Sequence, residues 1–276
     1  MHNPFHQTAG VSPLSDPPAS LSVIPIPGTD SATEIAWDSS VAKSRGVYGF
    51  DSMDARSRSF NLIRVRLLDL QASRGWRMIG VVSATPNVGK SFISANIAAA
   101  LSRDPRFQTY VVDLDLRRGS LSGFFGTNPE AGIRSYLEAA PGSDVPAIYR
   151  LEGERLLIMP TSAGAIHSAE LLAGERSQTL LRSMRVSDEK NIFIVDLPPV
   201  FANDDAATVM ARLDGYILVA EEGKTKQREI HDSVGMLGES RLAGVILNKY
   251  RGGVVSDGYG IDDYYAAGYG NEPSNS

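Results

Sequence analysis

Residues 80–101 read "GVVSATPNVGKSFISANIAAAL". An apolar strand runs into a loop, the loop closes on Gly89-Lys90-Ser91, and a small-residue helix follows. A loop of this shape wraps backbone N–H groups around phosphate oxygens, and the helix N-terminus adds partial positive charge. Residues Pro86, Asn87, Val88, Gly89, Lys90, Ser91 and Phe92 form the expected phosphate-binding segment. Lys90 reaches the β and γ phosphates and the Ser91 hydroxyl ligates Mg²⁺. Ala84 stands where the GxxxxGK[ST] pattern has its first glycine. The competing reading is an ordinary strand-to-helix turn that contains Gly-Lys-Ser. The strand before and the helix after favour the phosphate loop.

The same alternation continues outward. Strands are expected at 77–83, 109–115, 155–160, 191–199, 215–221 and 242–248, short and rich in Val and Ile with few polar residues inside. Strands buried on both faces of a parallel sheet read this way. Helical patterns separate most of them, at 90–103, 168–185, 204–213 and 225–240, and another precedes the first strand at 54–73. The expected fold is α/β, a P-loop NTPase with a mostly parallel, doubly wound sheet flanked by helices.

Two strand ends carry carboxylates. "YVVDLDLRR" puts Asp113 and Asp115 two residues apart, so an extended chain turns both to one side. "IFIVDLPPV" puts Asp196 after four apolar residues, with Pro198 and Pro199 stopping the strand. A lone Asp at a strand end is often only a turn former. Three of them beside a phosphate loop point to metal and phosphoryl chemistry. Asp196 and Ser91 are expected to organise Mg²⁺. Asp113 or Asp115 is expected to activate an attacking hydroxyl or to orient the metal's water shell. The expected catalytic set is Lys90, Asp113, Asp115 and Asp196, and the expected metal set is Ser91, Asp113 and Asp196.

Composition narrows the function. The 276 residues are 42% hydrophobic and 21% charged, and the net charge of -5 argues against a general nucleic-acid binder. Without cysteine there is no disulfide, thiolate catalysis or Cys-based metal site. The four histidines, His2, His6, His167 and His231, have no metal-ligand spacing. No apolar run approaches the ~18–20 residues that span a bilayer, and the N-terminus has no signal-peptide pattern. Residues 1–50, rich in Pro and Ser, are expected to be a flexible arm in which "LSVIPIPG" can dock on something. Residues 51–252 are expected to form the P-loop domain and residues 253–276 a flexible tail. That tail places Tyr259, Tyr264, Tyr265 and Tyr269 within eleven residues, of ten tyrosines in the whole chain.

"SATPNVGKS", "VVDLDLRRGSL" and "IVDLPPV", in that order, resemble the Walker A, A′ and B motifs of the bacterial tyrosine kinases, autokinases of capsule and exopolysaccharide export. "FFGTNPEAGIRSYL", "AELLAGER", "NDDAATV" with Asp205, and "GVILNKY" resemble further family segments. The resemblance covers roughly residues 52–270. It implies ATP and Mg²⁺ as cofactors and adenine recognition by Asn248. The tail tyrosines become phosphoacceptors for a neighbouring subunit. Pro86 is typical of the kinase branch, and the signature lysine of the Min/Par ATPases is absent. The implied partners are a transmembrane polysaccharide co-polymerase that acts as activator, a homo-oligomeric ring and a cognate tyrosine phosphatase. The family's long forms fuse the kinase to a membrane-spanning regulator, and this chain resembles the split, soluble form, expected in the cytoplasm and recruited by its partner to the inner face of the plasma membrane.

The chain departs from the family where "RSFNLIR" puts Arg58, Asn61 and Arg64 in place of a Glu and two Arg that hold the ring together. Glu221 and Glu222 are a second departure. A Min/Par-like nucleotide-switched ATPase and a weakly catalytic ATP-binding regulator of polysaccharide export are the alternative functions.

Overall fold

The computed structural model describes residues 23–140, 145–202 and 204–250. Eight strands form one sheet: β1 (Thr33–Ile35), β2 (Met78–Ser83), β3 (Gln108–Asp113), β4 (Tyr149–Leu151), β5 (Leu156–Met159), β6 (Asn191–Asp196), β7 (Gly215–Glu221) and β8 (Leu242–Asn248). Among the described residues nine α-helices accompany them: α1 (Ser39–Ser44), α2 (Arg58–Arg74), α3 (Lys90–Ser102), α4 (Leu121–Phe125), α5 (Ile133–Glu138), α6 (Ser168–Ala173), α7 (Glu175–Val186), α8 (Asp205–Met210) and α9 (Gln227–Leu237).

The strand order is β1-β4-β5-β3-β6-β2-β7-β8. The six strands foreseen from sequence are parallel to one another, and β4 joins β5 antiparallel with β1 parallel to β4. The central strands are buried along their length and feed two cores by alternation. In β6, Ile192 and Ile194 face one core while Phe193 and Val195 face the other. In β3, Val111 and Tyr110 divide in the same way. This is the period-two geometry of a strand covered on both faces. The edge strand β8 differs, since Val245 and Leu247 are exposed.

Helix α3 is almost wholly buried, its small and apolar residues packed on every side and its few polar ones turned to specific partners. It contacts β2, β3 and β6 on one side and α2 on another. The helical pattern of 168–185 is broken at Gly174, where the backbone is extended (ψ 164°) and separates α6 from α7.

Residues 37–50, expected as part of the arm, pack on the domain. Trp37, Ala42 and Val47 are buried in the core, and Trp37 packs against Phe50 and Phe125. Asn96 of α3 clamps this segment. Its side-chain oxygen accepts from the backbone N–H of Tyr48 (2.7 Å) and Gly49 (3.1 Å), and its amide donates to the Gly46 carbonyl at 3.0 Å. The approach is so close that a Cβ on Gly49 would lie 2.2 Å from the Asn96 carbonyl oxygen. The Ile-Pro-Ile-Pro piece docks as foreseen: Ile24 donates its N–H to the Ser183 hydroxyl of α7 at 2.9 Å, and Ile24 and Ile26 pack against the core.

Candidate active site

Strands β2, β3 and β6 lie side by side, so their C-terminal ends deliver the phosphate loop, Asp113 and Asp196 to one crevice. In open parallel sheets this crevice is where ligands bind. Gly89 stands at the N-cap of α3 with φ 93°, a left-handed conformation that favours glycine. The same residue is constrained by contact, because a Cβ there would fall 2.2 Å from the side-chain nitrogen of Asn248.

Helix α3 presents Ser91 and Ser94, three residues apart, to Asp196. The Ser91 hydroxyl donates to one Asp196 oxygen at 2.5 Å and the Ser94 hydroxyl to the other at 3.1 Å. The Ser120 hydroxyl sits 2.6 Å from that of Ser91. Lys90, itself buried, pairs with Asp115 at 3.4 Å. The expected neighbours Lys90, Ser91, Asp115 and Asp196 are therefore together.

Asp113 stands opposite Asp196 in the sheet, and its side chain is engaged by the backbone. It is fully buried and turns both oxygens to backbone donors, the N–H of Asp115 at 3.2 Å and that of Leu121 at 3.0 Å. It ties the loop after β3 to the start of α4. Burial, followed by the nearby Asp196 carboxylate, pushes the Asp113 carboxyl well above the ordinary range. Burial also pushes Asp196 up, against the pull of the Lys90 ammonium and the Ser91 hydroxyl. An isolated buried carboxylate favours its neutral form.

The loop is braced from β8. The Asn248 amide donates to the Val88 carbonyl at 2.7 Å, and the Lys249 ammonium donates to the Asn87 carbonyl at 2.7 Å. Lys249 also pairs with Glu221 at 3.1 Å, which gives that acid a structural role at the end of β7. Arg118 bonds the Asn87 side chain. Asn87, Gly89, Lys90, Ser91, Phe92, Arg118, Ser120 and Phe124 line a cleft of about 270 Å³. The Phe92 ring turns away into an aromatic cluster with Tyr48, Phe60 and Phe124, and Pro86 has no N–H to offer. Asp205 is buried and accepts from the Ser168 hydroxyl at 2.6 Å, with Arg117 3.5 Å away. Tyr259, Tyr264, Tyr265 and Tyr269 lie outside the described residues.

Ser94, Ser120 and Arg118 are site residues that the sequence reading missed. Ser94 had a signal, since it follows Ser91 by one helical turn. Ser120 and Arg118 arrive on a loop whose path no local pattern reveals.

Among the described residues, no group of three His, Asp or Glu side chains is placed to hold a metal alone. One hydroxyl and one carboxylate, both hard oxygen donors, are the set that Mg²⁺ takes when phosphates and water complete its shell. Ser91 and Asp196 fit that requirement.

A phosphate loop, an adjoining hydroxyl–carboxylate pair and a parallel sheet define a P-loop nucleotide-binding protein. The chain belongs to the CobQ/CobB/MinD/ParA nucleotide binding domain family, which it matches over residues 79–257. It is 28% identical over 228 residues to a putative tyrosine-protein kinase EpsB of Ralstonia nicotianae, an alignment covering 80% of this chain and 30% of that protein. It is 28% identical over 206 residues to the tyrosine-protein kinase CpsD of Streptococcus agalactiae, covering 72% of this chain and 86% of that one. The kinase domain of the Escherichia coli tyrosine kinase ETK has the same fold, with a TM-score of 0.65 and 25% identity over 82% of this chain and 94% of that domain. The chain thus spans less than a third of the Ralstonia relative's length. Among the described residues no helix is long and apolar enough to cross a membrane.

Proposed function

We propose that this chain is an ATP-dependent protein-tyrosine kinase that phosphorylates the cluster Tyr259, Tyr264, Tyr265 and Tyr269 on another copy of itself. The observation that carries the reading is the Lys90–Asp115 pair beside the Ser91–Asp196 contact. Together they put one cation, one metal pair and one further carboxylate around a single phosphate loop. The similarity to proteins named tyrosine kinases supports the same reading.

Bound Mg-ATP supplies the transferable γ-phosphoryl group and the metal charge that steadies it. Ser91 and Asp196 hold the metal, and the loop N–H groups and Lys90 hold the phosphates. Phosphate oxygens replace Asp115 as the partner of Lys90. Asp115 is then free to accept the phenolic proton as the tyrosine oxygen bonds to phosphorus and ADP leaves. Asp113 keeps the loop in place through its two backbone bonds.

The proposed setting is a membrane-bound polysaccharide co-polymerase that recruits and activates the chain, a homo-oligomer that presents the tail to a neighbour, and a phosphatase that resets it. Arg64 and Asn61 bond Asp104 and Arg103 of their own chain, so an oligomer that uses them must exchange these contacts. The family match also includes the MinD and ParA ATPases, whose kind of switch is the alternative.

Mass spectrometry of the full chain incubated with Mg-ATP tests the proposal. Phosphotyrosine is expected in the tail and is lost in Lys90→Met. Phosphotyrosine that survives in that variant, with no other kinase present, rules the proposal out. ATP hydrolysis with no phosphotyrosine supports the switch instead.

A further inference from the structure

A second cleft, of about 620 Å³, opens at the other end of the sheet. It lies between the C-terminal half of α7, the turn from α8 into β7 and the turn into β8. It is therefore at the strand N-termini, away from the phosphate loop. Four arginines line it, Arg182, Arg185, Arg212 and Arg241, with a single acid, Asp214. This is a concentrated positive site in a chain whose net charge is -5.

Three of the four guanidinium groups are held in place. Arg185 pairs with Asp214 and donates to the Arg212 carbonyl at 2.9 Å. Arg212 donates to the Thr208 carbonyl at 3.1 Å and Arg241 to the Met210 carbonyl at 2.9 Å. Each guanidinium carries five donors in a fixed fork. These bonds use one or two and orient the others. Arg182 is exposed and makes no hydrogen bond or ion pair among the described residues. The floor is apolar, from Leu181 and Leu213. Fixed forks with spare donors around a concave surface match tetrahedral oxyanions, which accept several charge-assisted bonds at once.

We propose that this cleft is an anion site for a phosphomonoester dianion, separate from the nucleotide site. Two sources share that chemistry: an aryl phosphate, as on a phosphorylated tyrosine, and free inorganic phosphate. The proposal does not depend on the kinase reading, because it concerns binding alone.

The test is calorimetric titration of the full chain carrying Lys90→Met, which takes away the cation of the phosphate loop. The probes are N-acetyl-phosphotyrosine amide, its unphosphorylated counterpart and inorganic phosphate. Saturable binding of a phosphorylated probe is expected. It should weaken about tenfold in Arg182→Gln, the scale of one charge-assisted bond, and further in Arg182→Gln/Arg241→Gln. Unliganded melting temperatures show whether each variant is folded, and Arg182→Gln, at an exposed side chain, is the safeguard. Tighter binding of the aryl phosphate identifies a phosphotyrosine source, and equal or tighter binding of inorganic phosphate identifies the free ion. No saturable binding of either probe overturns the proposal. So does binding that is unchanged in folded Arg182→Gln.

Discussion

Asn248, at the end of the edge strand β8, donates its side-chain amide to the Val88 carbonyl and occupies the space where residue 89 would carry a Cβ. The nucleotide loop is thus shaped by a residue far along the chain. Gly89→Ala should suffer twice, from the clash and from φ 93°. It is expected to weaken Mg-nucleotide binding by at least about tenfold, equal to about 1.4 kcal/mol. Asn248→Ala should weaken binding less, because it removes a brace without adding an obstruction. Titration of both variants with Mg-ADP checks the order.

Asp113 and Asp115 should separate in their effects. Asp113→Asn turns an amide toward a backbone N–H, so one buried bond is lost, at about 1–3 kcal/mol. A lower melting temperature is expected, with autophosphorylation retained in the folded protein. Asp115→Asn should lower the phosphorylation rate by about 10²–10⁴-fold, the range of a general base. Equal losses of rate in the two variants would contradict this assignment.

The raised carboxyls set a pH dependence. Burial raises the Asp113 and Asp196 carboxyls above their unfolded value, so each takes up a proton more readily folded than unfolded. Each raised group therefore adds stability below its unfolded pKa of about 3.9, and this contribution is lost as pH rises from there through the folded value. Asp196→Asn should flatten the fall of melting temperature over that window in the ligand-free protein. Mg-nucleotide, which favours the charged Asp196, should protect more at the upper end. Thermal melts across pH, with and without ligand, measure both.

Residues 29–50 should matter for stability. Trp37→Ala removes a buried ring packed against Phe50 and Phe125 and should cost about 3–5 kcal/mol. Denaturant unfolding tests it, and a loss below about 1 kcal/mol would mean that the segment is only loosely held.

Six strands were legible because each is a run rich in Val, Ile and Leu, which five of them bury on both faces of the sheet and the edge strand β8 leaves partly exposed. The short strands β1 and β4 carry three residues each and too little alternation to register. Trp37, Ala42 and Val47 show no period. Their burial comes from tertiary contact with Phe125 and α3. At the site, the phosphate loop and Asp196 were legible because local chemistry dictates them. The backbone bonds of Asp113 were not legible, because β3 ends at Asp113 itself and no local pattern shows the turn that follows. The bond to Leu121 then takes its side chain. Glu221 gained a meaning only when folding set it beside Lys249.

The bonds from Asn248 and Lys249 to Val88 and Asn87 also fix where the chain leaves the sheet. Whatever follows Tyr250 begins its path beside the nucleotide loop. Tyr259 is ten residues beyond Lys249, so its Cα is confined to a sphere of about 33–36 Å radius around that exit. If the proposed assembly sets its loops within that radius of one another, the supply of tail phenol at each site follows chain length and not the amount of protein in the cell.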